Sequence, residues 1–254
     1  MRIITLNANG IRAAQRKGFF EWLAGQDFDV CCLQELKAKP EQLNEAFYPE
    51  GFFTHYYPAE KPGYSGVGLI SRAEPRRLIE GLGIDEFDRE GRYLEARFEG
   101  LTVVSLYLPS GSSGEHRQAS KERFMDAFLP HLQKLRRRKR EHVICGDWNI
   151  VRGEKDIRNW RGNQKNSGCL PHERAWMNAL MDKHGWVDSY RTLNPEGEDY
   201  TWWSNRGRAR ERDVGWRIDY QLVTPALGKR LKRCSIYRDA RFSDHAPFTV
   251  DYGS

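Results

Sequence analysis

Short apolar segments of strand length recur along the whole chain, and they limit the folds that are open to it. Each segment is five to seven residues long, which suits a β-strand better than a helix. The segments are 2–6, 29–34, 66–71, 93–98, 101–107, 142–146, 218–223, 234–238 and 247–252. So many short strands in 254 residues predict a fold that is built on β-sheet.

Helical patterns occupy several intervals between these segments. An apolar stripe of helical period runs over residues 124–135, and Pro130 within it predicts a kink or a restart. Another helix is predicted between Pro171 and Gly185, because proline favours a helix start and glycine the position after its end. Glu99-Gly100 predicts a hairpin turn between two adjacent segments. Helices and hairpins together predict an α/β fold with a mixed sheet.

The composition is that of an ordinary folded protein, and we expect a single domain over residues 1–254. Hydrophobic residues make up 39% of the chain, but no apolar run is long enough to cross a bilayer, so no membrane partner is expected. The first strand begins at once, which leaves no room for a signal peptide. The five cysteines are scattered and odd in number, which predicts reduced thiols and a cytoplasmic protein.

The net charge of +6 and the pI near 9.1 favour a polyanionic partner without identifying one. The most basic stretch, residues 136–140, ends a predicted helix and leads into a strand. Cations are favoured at the C-terminus of a helix, so we interpret this run as a solvated helix end and not as a binding site.

Four polar clusters lie next to strand segments, and their residue types suit a cation site. The clusters are Asn7-Ala8-Asn9-Gly10, Gln34-Glu35, Asp147 with Asn149, and Ser243-Asp244-His245. Ligands in α/β proteins gather where strands end, and divalent cations such as Mg²⁺ prefer oxygen ligands. Each cluster alone is also compatible with an ordinary turn or a helix cap. A shared cation explains their recurrence best, because unpaired buried carboxylates are costly.

Two further residues extend this constellation. Asp219 lies inside a strand-like segment, where a buried carboxylate needs a partner, and His245 is a candidate for it. Tyr107 ends another segment and places a phenol at a strand end, although simple core packing is an equal alternative. The sequence therefore indicates a group of acidic, imidazole and phenol side chains at one edge of a sheet.

The ordered set of motifs resembles the exonuclease III family of AP endonucleases, within the endonuclease/exonuclease/phosphatase superfamily, and especially its proteobacterial members. The resemblance runs nearly from end to end. Its motifs are Asn7-Ala8-Asn9-Gly10-Ile11-Arg12, Leu33-Gln34-Glu35-Leu36-Lys37, Gly63-Tyr64-Ser65-Gly66-Val67, Arg89-Glu90-Gly91-Arg92, Tyr107-Leu108-Pro109-Ser110-Gly111, Gly146-Asp147-Trp148-Asn149, Asn163-Gln164-Lys165-Asn166-Ser167-Gly168, Trp216-Arg217-Ile218-Asp219-Tyr220 and Ser243-Asp244-His245-Ala246-Pro247.

This resemblance implies a four-layer α/β sandwich of the DNase I-like kind, in which two packed mixed sheets are flanked by helices. It implies a monomeric, bacterial enzyme at the nucleoid that cleaves duplex DNA 5′ to abasic sites with Mg²⁺, or Mn²⁺ as a substitute. It also implies 3′→5′ exonuclease activity and the removal of blocked 3′ ends.

The resemblance also implies roles for individual residues. Metal binding falls to Glu35 as the principal ligand with Asn7 and Asp244 nearby, and Asp147, Asn149 and His245 complete the expected metal set. Asp147 corresponds to the residue that activates the attacking water, and Asn149 to the residue that holds the water or a phosphate oxygen. Asp219 orients His245 against the phosphate, and Tyr107 hydrogen-bonds it. Asn9 stands where some branches of the family carry Asp, which removes one carboxylate.

An abasic nucleotide can be selected by a small apolar pocket that excludes normal bases. Trp202, Trp216 and Ile218 are suited to line such a pocket, and the two tryptophans match the pocket aromatics of the family. Core packing is the alternative for each tryptophan.

Two polar loops are candidates for contact with the DNA backbone. Arg206 and Arg208 belong to an arginine-rich loop between tryptophans, which favours phosphate contact over a merely solvated loop. Asn163 and Asn166 lie in a loop that resembles a phosphate-contacting segment of the family.

Two other functions remain open at this point. One is a phosphodiesterase or phosphatase that acts on lipid or inositol headgroups, as elsewhere in the superfamily, and the Trp216–Tyr220 motif argues against it. The other is a non-enzymatic regulator like the catabolite repression control proteins of pseudomonads, which share the fold but lack several catalytic positions. All of these positions are filled here, which favours an enzyme.

Overall fold

The computed structural model describes residues 1–253 and contains two six-stranded β-sheets. The first sheet has, in spatial order, the strands β13 (Leu231–Ile236), β14 (Phe248–Tyr252), β1 (Arg2–Asn7), β2 (Val30–Gln34), β4 (Val67–Ser71) and β3 (Phe53–Tyr57). In this sheet β1 and β2 are parallel, whereas the other neighbouring strands are antiparallel. The sheet is therefore mixed, as the sequence predicted.

The second sheet is also mixed. Its strands, in spatial order, are β5 (Arg77–Glu80), β6 (Tyr93–Arg97), β7 (Leu101–Tyr107), β8 (Glu141–Asp147), β12 (Asp219–Val223) and β9 (Val187–Asp188). Only β7 and β8 are parallel. A separate two-stranded ribbon joins β10 (Trp202–Trp203) to β11 (Gly215–Trp216).

Helices fill the connections between the strands. They are α1 (Ile11–Arg16), α2 (Phe19–Ala24), α3 (Asp85–Asp88), α4 (Glu115–Arg136), α5 (Trp160–Asn163), α6 (Pro171–Asp182), α7 (Ser189–Leu193) and α8 (Pro225–Gly228). Three short 3₁₀ turns occupy Pro40–Gln42, Glu45–Phe47 and Glu154–Asp156.

Three hydrophobic clusters show that the elements form four layers. The inner cluster joins the facing sides of the two sheets, with Val30 on one and Val143 on the other. Adjacent residues on the same strands point outward, because side chains alternate along a strand. Ile144 thus packs with Phe128 of α4, and Cys31 packs with the α1–α2 side of the first sheet. Both faces of each sheet are covered, which explains the nearly continuous apolar runs in the sequence.

All nine sequence segments are strands, and the hairpin at Glu99-Gly100 joins β6 to β7. The helix predicted between Pro171 and Gly185 is α6. Of the kink or restart predicted at Pro130, the restart is wrong, because α4 continues through this residue, and the kink stays a prediction. Proline removes a hydrogen bond to the residue four positions earlier, Asp126, and both residues are exposed, so water can satisfy the freed carbonyl.

The register of the sheets brings the polar strand ends together. Asn7 and Gln34 are paired at the ends of the parallel strands β1 and β2. In the second sheet, Asp147 lies between Tyr107 of β7 and Asp219 of β12. Parallel strands end at the same edge, so each sheet delivers its polar residues to one edge of the sandwich.

Candidate functional site

A pocket of about 840 Å³ opens at this edge of the sandwich. Its lining includes most of the residues that the sequence singled out: Glu35, Tyr107, Asp147, Asn149, Asn166, Trp202, Arg206, Trp216, Ile218, Asp244 and His245. These residues come from distant parts of the chain, and only the sheet register makes them neighbours.

The chain turns sharply where strands deliver side chains to the pocket. Glu35 and Asn149, which follow β2 and β8, both have φ of 51°, a left-handed conformation that is uncommon outside glycine. Local hydrogen bonds hold the second turn, since the Asn149 N–H donates to Asp147 Oδ1 at 2.8 Å. Its side-chain nitrogen donates to the Leu108 carbonyl at 2.8 Å, which leaves Asn149 Oδ1 as the atom that can meet a ligand.

Glu35, Asp147 and His245 form the tightest group in the pocket. Each offers one ligand atom, and these atoms all lie within 4.8 Å of one another. Asn7 lies beneath the group, fully buried, and its side-chain nitrogen donates to Glu35 Oε1 and to Asp147 Oδ2, both at 2.8 Å. A single carboxamide therefore fixes the spacing of the two carboxylates.

His245 is held by a carboxylate, as the sequence predicted. Its Nδ1 lies 2.8 Å from Asp219 Oδ2, and its Nε2 lies 3.8 Å from Asp147 Oδ2. Burial by itself lowers the pKa of His245, but the charge of Asp219 and the hydrogen bond to it outweigh burial and raise the pKa to about 10. The imidazole is therefore a cation at neutral pH.

The opposite shift affects Asp147. Burial raises the pKa of Asp147 to about 7, and the nearby charges of Asp219 and Glu35 contribute to the rise against the attraction of His245. An aspartate with such a pKa is a much stronger base than an ordinary one. Burial and the charge of Glu35 also raise the pKa of Tyr107 well above its usual value, so its phenol stays protonated.

The hydrogen bonds of Asn7 show a positioning role beside the metal binding that the sequence suggested. The sequence placed it among the metal ligands, but its Oδ1 accepts the Asn9 N–H at 2.9 Å and its nitrogen faces the carboxylates. In this arrangement the side-chain nitrogen of Asn7 positions Glu35 and Asp147, and metal binding through Oδ1 stays a prediction.

Asp244 lines the pocket but lies outside the Glu35–Asp147–His245 group. Its Oδ1 accepts from Asn9 Nδ2 at 2.8 Å, and its Oδ2 accepts from the Trp202 indole at 3.1 Å. Its pKa is lowered, since the charge of His245 and these hydrogen bonds overcome burial. Asp244 thus stays ionised and ties Trp202 to the polar side of the pocket.

The charges of the pocket suit a divalent cation. Around the Glu35–Asp147–His245 group, the four carboxylates of Glu35, Asp147, Asp219 and Asp244 lie with two basic groups, His245 and Lys37, whereas Lys165 and Arg206 line the pocket without an ion pair among the described residues. With both basic groups protonated and all four carboxylates ionised, the group carries two net negative charges. Oxygen-rich sites with such an excess are those that hard divalent cations occupy.

An apolar wall lies beside the acidic group. The rings of Trp202 and Trp216 meet edge to face, with centroids 5.9 Å apart, and Ile218 packs against them. Trp203, in contrast, is completely buried and packs in a separate hydrophobic cluster. The pocket thus combines a charged half and an apolar half.

The predicted phosphate-contacting residues divide into two groups. Arg206 and Asn166 line the pocket, whereas Asn163 lies in a smaller pocket next to it. Arg208 lines neither, and its nearest ionic partner is Glu211 at 3.8 Å. A contact between Arg208 and a substrate stays a prediction.

Sequence reasoning missed two basic residues of this region. Lys37 forms an ion pair with Glu35 Oε2 at 2.7 Å. Lys121 is fully buried, pairs with the buried Glu173 at 2.6 Å and donates to the Asn149 carbonyl at 2.9 Å. Lys37 could have been found, because it lies two residues after Glu35 in a motif already singled out. Lys121 carried no signal, since a lysine in a helix is usually exposed.

The protein was compared with known families and structures. The family model described as "Endonuclease/Exonuclease/phosphatase family" matches residues 4–245. An exodeoxyribonuclease of Bacillus subtilis is 36% identical over 249 residues, which cover 97% of each chain. The structure of a 3′-5′ exonuclease from Neisseria meningitidis superposes with a TM-score of 0.91 at 29% identity and full coverage of both chains. An AP endonuclease from Archaeoglobus fulgidus gives a TM-score of 0.89 at 27% identity, with 99% of each chain covered. Within residues 1–253, no helix is long and apolar enough to cross a membrane.

Proposed function

Because the chain belongs to the endonuclease/exonuclease/phosphatase family, among its exodeoxyribonuclease and AP endonuclease enzymes, we propose that it hydrolyses the phosphodiester bond 5′ to abasic sites in duplex DNA. The observation that carries this proposal is the pairing of the Glu35–Asp147–His245 group with the apolar wall of Trp202, Trp216 and Ile218 in one pocket. The charged half suits a phosphate, and the apolar half suits a sugar that has lost its base.

In this mechanism Asp147 takes a proton from the attacking water. Its raised pKa makes it an effective base near neutral pH, and the Asn7 and Asn149 N–H groups fix its orientation. A bond forms between the water oxygen and phosphorus, the bond from phosphorus to the 3′ oxygen breaks, and the proton is later returned to the leaving alkoxide. Asn149 Oδ1 helps to hold the water.

His245 and Tyr107 stabilise the negative charge that develops on the phosphate. His245 is kept protonated by Asp219, so its Nε2–H can donate to a phosphate oxygen. The neutral phenol of Tyr107 is a second donor from the opposite wall. Donors that are fixed in place before the reaction are an effective source of transition-state stabilisation.

A divalent cation fits the excess of carboxylates, and we propose Mg²⁺, with Mn²⁺ as a substitute. Glu35 would hold it, with Asp147 near enough to share it, whereas the protonated His245 would donate to the phosphate. Such an ion would supply positive charge to the phosphate oxygens.

The test is incision of a duplex that contains one tetrahydrofuran abasic analogue. We expect rapid incision 5′ to the analogue in Mg²⁺, none in EDTA, and much slower cutting of the matched undamaged duplex. No incision in Mg²⁺, or equal incision in EDTA, would contradict the proposal.

We also propose that the same pocket removes nucleotides and blocking groups from 3′ ends, since such reactions need the same attack on phosphorus. Duplexes with a recessed 3′-hydroxyl or a 3′-phosphate measure these activities separately. Trp202→Ala should reduce the preference for the abasic duplex over both end substrates, because it removes half of the apolar wall. An unchanged preference would show that the wall does not select the abasic sugar.

A further inference from the structure

A second pocket, of about 340 Å³, adjoins the main one and shares Tyr107, Ser110 and Ser113 with it. We call it the Tyr64 pocket. Its remaining lining residues are Lys61, Tyr64, Glu90, Arg92, His116 and Arg117. None of these was among the candidate site residues that the sequence suggested.

Arg92 and Arg117 form a rigid, partly buried base for this pocket. Arg92, whose side chain is 1% exposed, donates to the Tyr107 carbonyl at 3.1 Å and to the Tyr64 hydroxyl at 2.8 Å, and its guanidinium lies 4.7 Å from the Tyr107 ring centre. Arg117 donates to the same hydroxyl at 2.7 Å and pairs with Glu90 at 3.0 Å. The base is thus fastened to Tyr107, a wall of the main pocket.

The Tyr64 pocket has more positive than negative charge. Glu90 is its only carboxylate among the lining residues, and both arginines already pair with it. Lys61 adds a third cation, with its ammonium 5.3 Å from the Tyr64 ring centre. This ammonium is exposed, and no hydrogen bond or ion pair within residues 1–253 engages it. The three cations and one carboxylate therefore give the pocket a net charge of +2, and of the three cations only the Lys61 ammonium lacks a partner within residues 1–253.

Such an excess is the feature expected of an anion site. Arginine and lysine donors bind phosphate oxygens. The Tyr64 hydroxyl accepts from both Arg92 and Arg117, which holds the two guanidinium groups in place. The helix α4 begins at this pocket, and His116 and Arg117 of its first turn line it. The N-terminus of a helix carries partial positive charge, which favours an anion nearby. The two pockets adjoin at Tyr107, Ser110 and Ser113, so one polyanionic chain is long enough to contact both.

We propose that the Tyr64 pocket binds a second phosphate group of the DNA, next along the backbone from the phosphate that is cleaved. This inference rests on the proposed function, because it assigns a neighbouring phosphate of the same substrate. Lys61 makes the contact that is free to form, while Arg92 and Arg117 supply the field that attracts the phosphate.

The test measures the binding of the abasic duplex over a range of salt concentrations, in EDTA so that no cleavage occurs. Each phosphate contact adds about 0.9 to the slope of log K against log salt. We expect Lys61→Ala to reduce the slope by about one contact. Lys229→Ala removes an equally exposed lysine near α8, beyond the other end of β12, and should leave the slope unchanged.

The phosphate itself is located by duplexes that each carry one neutral methylphosphonate. One position should weaken binding of the wild type severalfold and have no further effect on Lys61→Ala. An unchanged slope in Lys61→Ala, or equal sensitivity of both proteins at every position, would overturn the proposal. Competition by inorganic phosphate alone that Lys61→Ala abolishes, without any change in the duplex slope, would instead indicate a site for small phosphate compounds and would also overturn it. A wild type that incises no abasic duplex in Mg²⁺ would contradict the proposed function, which is a separate outcome.

Discussion

The main pocket, which contains Asp147 and His245, lies beside a second buried charge cluster, yet the charges of the two regions are arranged in opposite ways. We call the second one the Arg217 cluster. Arg217, with a side chain that is 1% exposed, lies 2.8 Å from Asp156 and 2.9 Å from Asp188. Arg191 and Arg152 add a second guanidinium to each of these carboxylates. No carboxylate of the cluster lacks a cationic partner.

The effects on the pKa values show the contrast. In the Arg217 cluster, burial opposes the charge of Asp188, but the charges of Arg217 and Arg152 lower its pKa below the usual value. In the pocket, burial and like charges raise the pKa of Asp147 to about 7. Asp219 Oδ1 even lacks a hydrogen-bond partner among the described residues. Buried charges are thus common to both regions, but each carboxylate of the Arg217 cluster has two guanidinium partners, whereas like charges crowd Asp147 in the main pocket.

Adjacent residues at the junction of β11 and β12 serve the two regions. Trp216 and Ile218 line the pocket, while Arg217 between them pairs with Asp156 and Asp188. The matched cluster therefore holds the segment that carries the apolar wall and Asp219.

The largest effect on stability is expected from disrupting the Arg217 cluster. Arg217→Met leaves Asp156 and Asp188 with one partly exposed guanidinium each, and removal of one partner of a buried ion pair costs about 3–5 kcal/mol. We expect a large fall in the free energy of unfolding, measured by urea denaturation. A variant as stable as the wild type would show that Arg217 does not hold this segment.

The next largest effect, on the incision rate, is expected from a substitution of Asp219 in the main pocket. In Asp219→Ala the largest effects that raise the pKa of His245 are lost and only the charges of Asp147 and Asp244 still oppose burial, so we expect the pKa of His245 to fall. We expect the incision rate to fall about a hundredfold or more, roughly 3 kcal/mol. The alkaline limb of the pH–rate profile should move from near 10 to lower pH, while the acidic limb, set by Asp147 near 7, remains. The matched control is Asp219→Asn, which keeps the size of the side chain but removes its charge, so it separates the loss of charge from the loss of packing. An unchanged profile in Asp219→Ala would remove the pairing from the mechanism.

A third buried pair, Lys121 with Glu173, allows a smaller and sharper comparison. Glu173 also accepts the Gly168 N–H at 2.6 Å, so the pair links the Asn149 turn to the loop that carries Asn166. Replacing a buried pair as a unit is often nearly neutral for stability. We expect Lys121→Met/Glu173→Gln to unfold within about 1 kcal/mol of the wild type but to incise about tenfold more slowly. Full activity would show that the pair does not position the pocket walls.

The smallest effect is expected at the basic run. Arg138 pairs with Glu95 at 3.2 Å and Arg136 donates to the His184 carbonyl at 3.3 Å, which agrees with a role at the helix end. Lys139 is exposed and lies at the start of β8, the end opposite Asp147. Lys139→Ala should therefore leave the salt dependence of DNA binding unchanged. A slope reduced by one phosphate contact would show that DNA reaches this end.

Sequence patterns anticipated most of the fold because its central strands are apolar on both faces. The strands that they missed are polar or very short, such as the edge strand Arg77–Glu80 and the two-residue strand Val187–Asp188. The polar strand ends were equally visible, since four clusters repeated one form. The orientation of Asn7 and the burial of Lys121 could not be predicted from the sequence, because both depend on partners that are distant in the chain.

The central claim is that the same change, aspartate to asparagine, has opposite consequences in the two regions. Folding raises the pKa of Asp147 from its ordinary value of 3.8 to about 7. Ionised Asp147 therefore lowers the free energy of unfolding as the pH rises through this range, and an uncharged side chain removes that cost at pH 8. Asp188→Asn removes a stabilising charge instead.

The most direct measurement compares Asp147→Asn with Asp188→Asn in single-turnover incision at pH 8 and in thermal unfolding in EDTA. We predict that Asp147→Asn binds the abasic duplex, unfolds at no lower temperature than the wild type and loses about three or more orders of magnitude in rate. Asp188→Asn should unfold several degrees lower and incise within about tenfold of the wild type. An Asp147→Asn variant that cuts at nearly the wild-type rate would contradict the account.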